Sequence, residues 1–279
     1  MIRVPQASSI FGIGAGQQRR HVVLDRLRHH VDPVANHMEP TMIPTLRVLI
    51  NMGSLQRLLP FWLAGLAICF IWFSPWMLPA LAWGVVMQFF VEYLMHRFLL
   101  HCEPPQDQPI FNDLYRSHIG HHEFPMDPEF FTGDDHWYPV RFGLISLAIH
   151  TVVLWPLVGW ETAVIWSSVA IFVGSVSAFA FYEYCHTLAH LNVPKGWFGK
   201  RVTQSHLRHH FNDHDSVYHV SFGMAWIDRL FGTTYDRDTA RNRYDAQTIL
   251  SMGMDPEDLL LVTARKAFGI TKMPRERTT

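Results

Sequence analysis

Ten of the eighteen histidines in this 279-residue chain stand in four short motifs, and those motifs are where chemistry could occur. His96 and His101 form an H-x4-H pair, and His118, His121 and His122 form H-x-x-H-H. Further along, His186 and His190 form H-x3-H, and His206, His209 and His210 repeat H-x-x-H-H. Neutral imidazole is a ligand for iron, copper, nickel and zinc, and ten imidazoles far exceed what one tetrahedral zinc needs. Two metals with about five nitrogen ligands each is the natural count. Such metals would stay cationic, and each would need an open position to do chemistry.

Spacing says how the rings could meet. On a helix, His186 and His190 lie about 40° apart around the axis, on one face. In each H-x-x-H-H motif the outer two histidines share a face, while the middle one is offset by about 60° from the first. Three rings then fan out and can reach two nearby metals. His96 and His101, five apart, point about 140° apart on a regular helix, so they converge only where the helix ends or kinks; Pro104 and Pro105 supply a nearby end. Glu92 precedes His96 by four residues and Glu183 precedes His186 by three, which places both as candidates to orient the rings. Glu183 to His186 also spells E-x-x-H, but a carboxylate-bridged bundle needs two such motifs and further glutamates, and this chain has one.

The elements that must carry these motifs are apolar. Charged residues make up 17% and aromatics 14% of the chain, with ten Trp, a profile that fits a membrane protein with sizeable aqueous parts. Four apolar runs, about 58–73, 76–95, 142–158 and 162–182, are each long enough to cross a bilayer as a helix. Ser74 and Pro75 join the first two, and 159–161 join the last two, giving two hairpins. All 23 Lys and Arg residues lie outside these tips, at or before Arg57, between Arg97 and Arg141, or from Lys195 onward. The excess of positive charge puts both termini and all four histidine motifs on the cytosolic side. Residues 1–45 read as a flexible cytosolic tail whose His21, His29, His30 and His37 are surface residues, and 46–279 as the membrane domain with its C-terminal cap. The stretch 44–59, with Arg47 and Arg57, suits a helix at the membrane interface. His150 falls in the third run and has no assigned role. Cys69, Cys102 and Cys185 form no thiolate motif, the first residues hold no secretory signal, and a net charge of −1 offers no field for nucleic acid.

The motifs E-Y-L-M-H-R-F-L-L-H (Glu92 to His101), H-I-G-H-H (His118 to His122), H-T-L-A-H (His186 to His190), H-L-R-H-H-F (His206 to Phe211) and W-I-D-R-L-F-G-T (Trp226 to Thr233) resemble the membrane fatty acid hydroxylase superfamily, and within it the fatty acid 2-hydroxylases. The resemblance covers about residues 55–233. It implies an all-α integral membrane protein, with four transmembrane helices and a cytosolic helical cap that holds a histidine-rich dimetal centre. The ligands implied are His96, His101, His118, His121, His122, His186, His190, His206, His209 and His210. The working metals would be two irons, with zinc able to replace them in purified protein. The reaction implied is dioxygen-dependent insertion of one oxygen atom into a lipid acyl C–H bond, at carbon 2 of a fatty acid or of the N-acyl chain of a sphingolipid.

Two departures from the family pattern bear on that expectation. Larger members carry a fused cytochrome b5 domain, and no such haem-binding pattern occurs in residues 1–50, so electrons would come from a separate cytochrome b5-type or ferredoxin-type donor. Ser205 stands where near relatives tend to have a further histidine; His214, four residues after His210, or His219 could take that place as ligand or supporting residue. The short chain points to a bacterial inner membrane, or to the ER membrane if the source is eukaryotic. Other expectations from the same residues are a sterol, carotenoid or sphingoid-base hydroxylase or desaturase, and a non-catalytic membrane metal-binding protein.

Overall fold

The computed structural model describes residues 42–132, 137–223, 225–238 and 254–271. The tail expected over 1–45, with its four histidines, lies outside the described residues up to residue 41. Every regular element among the described residues is helical.

Helix α1 (Met42–Asn51) is amphipathic and leads directly into α2 (Gly53–Ile71). It does more than rest at an interface: Val48 packs with Phe131 and Leu191 in a small core. Four helices are long and apolar enough to cross a membrane, as the runs in the sequence predict. They are α2, α3 (Met77–Leu100), α6 (Tyr138–Val158) and α7 (Trp160–His190). Their apolar side chains face outward, with Phe70 90% and Leu157 75% exposed, the pattern of helices solvated by lipid rather than water. The spans begin earlier or end later than the apolar runs, because the polar residues at their ends, histidines included, continue the same helices into the cap. Trp72 to Trp76 closes the first hairpin. Gly159, at φ 81°, closes the second.

The two hairpins meet where small residues let backbones touch. A Cβ on Gly84 would fall 1.9 Å from the Ala170 carbonyl oxygen, so only glycine fits. Ser175 Oγ donates to the Gly84 carbonyl at 3.0 Å. On α7 this contact lies in a π-helical stretch, Val169–Ser175. Two spans are tied by a polar contact: the Trp83 indole donates to His150 Nε2 at 3.1 Å, and His150 Nδ1 lies 2.7 Å from the Ser146 carbonyl. His150 is thus a helix-to-helix tie, remote from the histidine motifs.

Beyond the spans, the chain from 108 to 123 forms a helix, α4, with a π-helical centre at Tyr115–Ile119. The short α5 (Pro128–Phe131) follows. Helix α8 (Trp197–Phe211) carries the last histidine motif. A loop leads to α9 (Trp226–Phe231), and α10 (Leu259–Ala267) packs back on α4. Phe111, Tyr115, Ile119, Phe130 and Leu261 form the core between α4 and α10. Each such fully buried side chain contributes on the order of 2 kcal/mol.

Candidate metal centre

Helix α3 delivers the first pair by changing its pitch. From Met95 to Leu100 it is π-helical, and the His101 N–H bonds the His96 carbonyl at 3.1 Å. Five-residue hydrogen bonding sets residues i and i+5 on one side, which removes the large angular offset of a regular helix. The ring centroids of His96 and His101 are 5.0 Å apart. A second π turn, Tyr115–Ile119, includes His118. His186 and His190 occupy the end of α7, one turn apart, and His206, His209 and His210 occupy the last turns of α8.

The ten rings assemble into two neighbouring groups. In the first, His96, His101, His118, His122 and His209 offer nitrogens within 4.8 Å of one another. In the second, His121, His190, His206 and His210 do the same, and His186 joins their edge with its Nε2 3.0 Å from that of His121. Each H-x-x-H-H motif is divided between the groups. The outer pair His118 and His122 goes to the first group and the middle His121 to the second; the outer pair His206 and His210 goes to the second and the middle His209 to the first. The 60° offset inside each motif is what allows this exchange. Neither group can form without residues from both halves of the chain.

Backbone carbonyls hold two of the rings. His96 Nδ1 lies 2.6 Å from the Tyr218 carbonyl oxygen and His209 Nδ1 lies 2.8 Å from that of Ser216. A carbonyl only accepts, so both Nδ1 atoms carry the proton and both Nε2 atoms present a lone pair inward. The loop that supplies these carbonyls is fixed by two buried carboxylates. Asp228 accepts the N–H of Tyr218 at 2.8 Å and of His219 at 3.2 Å, and the Thr233 hydroxyl at 2.9 Å. Glu92 accepts the N–H of Val220 at 2.6 Å and of Ser221 at 3.0 Å, and the Ser221 hydroxyl at 2.6 Å. Glu92 therefore does not touch His96, as its spacing suggested, but steadies it through the loop. Glu183 makes no hydrogen bond among the described residues, so it does not orient His186 directly.

A third buried carboxylate fixes the first H-x-x-H-H motif from behind. Glu123, next to His122, accepts Tyr115 Oη at 2.5 Å and Arg265 Nε at 2.6 Å. Arg265 also donates to the Pro256 carbonyl at 2.8 Å. No motif or spacing singles out Glu123 or Arg265, which are 142 residues apart. Asp228 was visible only as part of the W-I-D stretch, without a role.

The other candidates fall outside both groups. Helix α8 ends at Phe211, so His214 does not continue its histidine face; its Nε2 lies 3.5 Å from Asp215 Oδ1. His219 is fully buried between Phe89 and Trp226, with its Nε2 3.9 Å from Glu92. Ser205 lines a surface cleft beside α8. Cys185 packs with Ala189, Val202 and Val220 as a small apolar side chain.

The donor set fits metal ions. Burial, reinforced by repulsion between neighbouring rings, holds His101, His118, His121, His122, His206, His209 and His210 well below the usual histidine pKa. They are neutral imidazoles at physiological pH, the form that binds metal. His96 Nε2 and both nitrogens of His190 are buried without a hydrogen-bond partner. Nε2 atoms face one another at 2.9 Å for His101 and His118, 3.0 Å for His118 and His122, 3.0 Å for His101 and His209, and 3.1 Å for His206 and His210. With metal–nitrogen bonds of about 2.0–2.1 Å, such separations correspond to angles near 90°, whereas a tetrahedron would need about 3.4 Å. These short separations leave the imidazole nitrogens close enough to share a bound ion within each group.

A family model for fatty acid hydroxylases matches residues 81–233, more than half of the chain and all four motifs. The chain belongs to the fatty acid hydroxylase family. Among family members, it is 31% identical over 150 residues to the Schizosaccharomyces pombe ceramide very long chain fatty acid hydroxylase scs7, covering 51% of this chain and 38% of that one. It is 30% identical over 152 residues to the Arabidopsis thaliana dihydroceramide fatty acyl 2-hydroxylase FAH2, covering 54% and 59%. The Mus musculus fatty acid 2-hydroxylase is 29% identical over 140 residues, with 50% and 35% covered. The matched region is therefore less than two thirds of the length of each of these relatives. A solved structure of full-length scs7p, in which only the hydroxylase domain is visible, superposes with a TM-score of 0.54 at 21% identity, covering 66% of each chain. At that identity the likeness is one of fold.

Proposed function

We propose that this protein is a membrane lipid hydroxylase that uses dioxygen to hydroxylate an acyl chain, at carbon 2 of a fatty acid or of the N-acyl chain of a sphingolipid. The observation that carries the reading is the interlocked pair of five-histidine groups at one end of the apolar bundle, in a chain of the fatty acid hydroxylase family whose similar relatives include 2-hydroxylases. In this reading His96, His101, His118, His122 and His209 hold one iron, and His121, His186, His190, His206 and His210 hold the other. When bound, the two ions supply the redox chemistry by which dioxygen, two electrons and two protons convert a C–H bond to C–OH and release water.

The chain's own residues do the rest. The Tyr218 and Ser216 carbonyls keep the lone pairs of His96 and His209 turned inward. The spans offer an acyl chain an apolar route from the bilayer and exclude water from the centre. A cytochrome b5-type or ferredoxin-type protein would supply the electrons, and the Lys and Arg distribution supports a centre on the cytosolic side. The test is mass spectrometry of lipids from a host expressing the wild type beside a His121→Ala variant. The reading expects 2-hydroxy acyl species with the wild type alone. Their absence from both, with an altered sterol or carotenoid instead, would replace the substrate; product in both would remove the metal assignment.

A further inference from the structure

The outer face of α8 is as distinctive as its inner face. His206, His209 and His210 point inward and are buried, while Lys200, Arg201, Gln204 and Arg208 line a surface cleft of about 690 Å³. Arg229 of α9 and Tyr235 complete its wall, and among the described residues no acidic side chain lines it. Four cations sharing one concavity sum to a positive potential there, an arrangement that attracts an anion. Tyr235 lies under the Arg208 guanidinium at 5.1 Å, and the Gly223 carbonyl accepts Arg201 Nε at 3.1 Å, so two of the four cations are held in place before any ligand arrives.

The surroundings say what kind of anion. Arg229 is followed by Leu230, 65% exposed, and Phe231, 42% exposed, while Trp197 on the cleft wall is 75% exposed. Phe231 stacks on Tyr93 of α3 with ring centroids 4.8 Å apart, and Trp226 packs edge-on to Phe90 at 5.7 Å. Helix α9 is thereby fixed against a membrane span, with Leu230 and part of Phe231 left exposed beside it. A cationic hollow beside exposed Trp, Leu and Phe is the arrangement that meets a lipid at the membrane boundary, with charge for the headgroup and apolar surface for the chains.

We infer that this cleft binds the phosphate of an anionic membrane lipid headgroup, on the side of the bundle that carries the histidines. The inference is independent of the hydroxylation reading, since it uses none of the histidines. In the test, the full chain is purified in an uncharged detergent and titrated separately with phosphatidylglycerol, phosphatidylcholine and inorganic phosphate, with binding read by native mass spectrometry. An Arg208→Gln, Arg229→Gln double variant is compared with wild type and with Lys266→Gln, which removes an exposed cation on α10. Unchanged thermal melting confirms that each variant folds. Phosphatidylglycerol is expected to bind wild type and Lys266→Gln alike, and the double variant about tenfold more weakly or worse. Phosphatidylcholine and free phosphate are expected to bind weakly to all three. Equal binding of phosphatidylglycerol by wild type and the double variant would overturn the site. Free phosphate bound as tightly as phosphatidylglycerol would overturn its assignment to a lipid, and phosphatidylglycerol bound no better than phosphatidylcholine would overturn the requirement for an anionic headgroup.

Discussion

Glu92 and Ser221 are joined twice, through the Ser221 N–H at 3.0 Å and its hydroxyl at 2.6 Å, although 129 residues separate them. With Val220 N–H at 2.6 Å on the same carboxylate, this clamp fixes the backbone just past Tyr218, whose carbonyl holds His96. Removing the carboxylate frees the loop without touching a histidine of either group. Glu92→Ala should lower metal affinity roughly 10- to 100-fold, the usual effect of losing a group that orients a ligand. Metal content after dialysis against a graded chelator series checks it; unchanged retention would mean that the loop does not set the ring.

Arg265 is the partner that allows Glu123 to remain buried beside His122. Replacing it with Met leaves an uncompensated buried charge, and breaking such a pair costs about 3–5 kcal/mol. Thermal melting of Arg265→Met should show a large loss, and Glu123→Gln with Arg265→Met should recover part of it. A double variant as unstable as the single one would show that packing of α10, rather than the ion pair, dominates.

Gly84 has no room for a side chain against Ala170. Gly84→Leu must push the hairpins apart and should abolish the folded, monodisperse protein in detergent. Gly143→Leu is the control, since the nearest atom to a Cβ there is 4.0 Å away. Equal yield and melting of both variants would contradict the close packing described.

His219 supplies a pH dependence. Burial between aromatic rings lowers its pKa from 6.5 to about 4, against a smaller raising effect from Asp228. The unfolded chain therefore binds more protons between those values, and stability rises with pH across them. The contribution is complete above about pH 6.5 and is lost as pH falls toward 4, by roughly 3 kcal/mol at 1.36 kcal/mol per unit. Histidines of the two groups act in the same direction, so a His219→Leu variant should show a shallower, not a flat, acid limb in melting temperature against pH. Identical limbs would remove His219 from the account.

The sequence was informative where side chains repeat and silent where the backbone acts. Apolar runs revealed the spans, because a membrane core demands about twenty apolar residues whatever the packing. The same histidine spacing that revealed the motifs also revealed that each could serve two sites. It could not reveal the π turn at Met95–Leu100, since nothing in the side chains of that stretch distinguishes five-residue from four-residue hydrogen bonding. Nor could it reveal the Tyr218 and Ser216 carbonyls, which every residue type would supply. Glu92 was found for its nearness to His96 in sequence, yet its partners are amides far along the chain. His214 shares the histidine face of α8 only if that helix continues, and the helix stops before reaching it.

His121 and His209 each serve the group opposite to that of their neighbours, so two metals would be held by interleaved motifs. Native mass spectrometry of iron-loaded protein, with iron and protein quantified on the same sample, tests it directly. Wild type should hold two ions, one for each histidine group. His121→Ala should weaken the second site selectively and His209→Ala the first, while a variant carrying both should lose both. A wild type that saturates at a single ion, or a double variant that still holds two, would contradict the account.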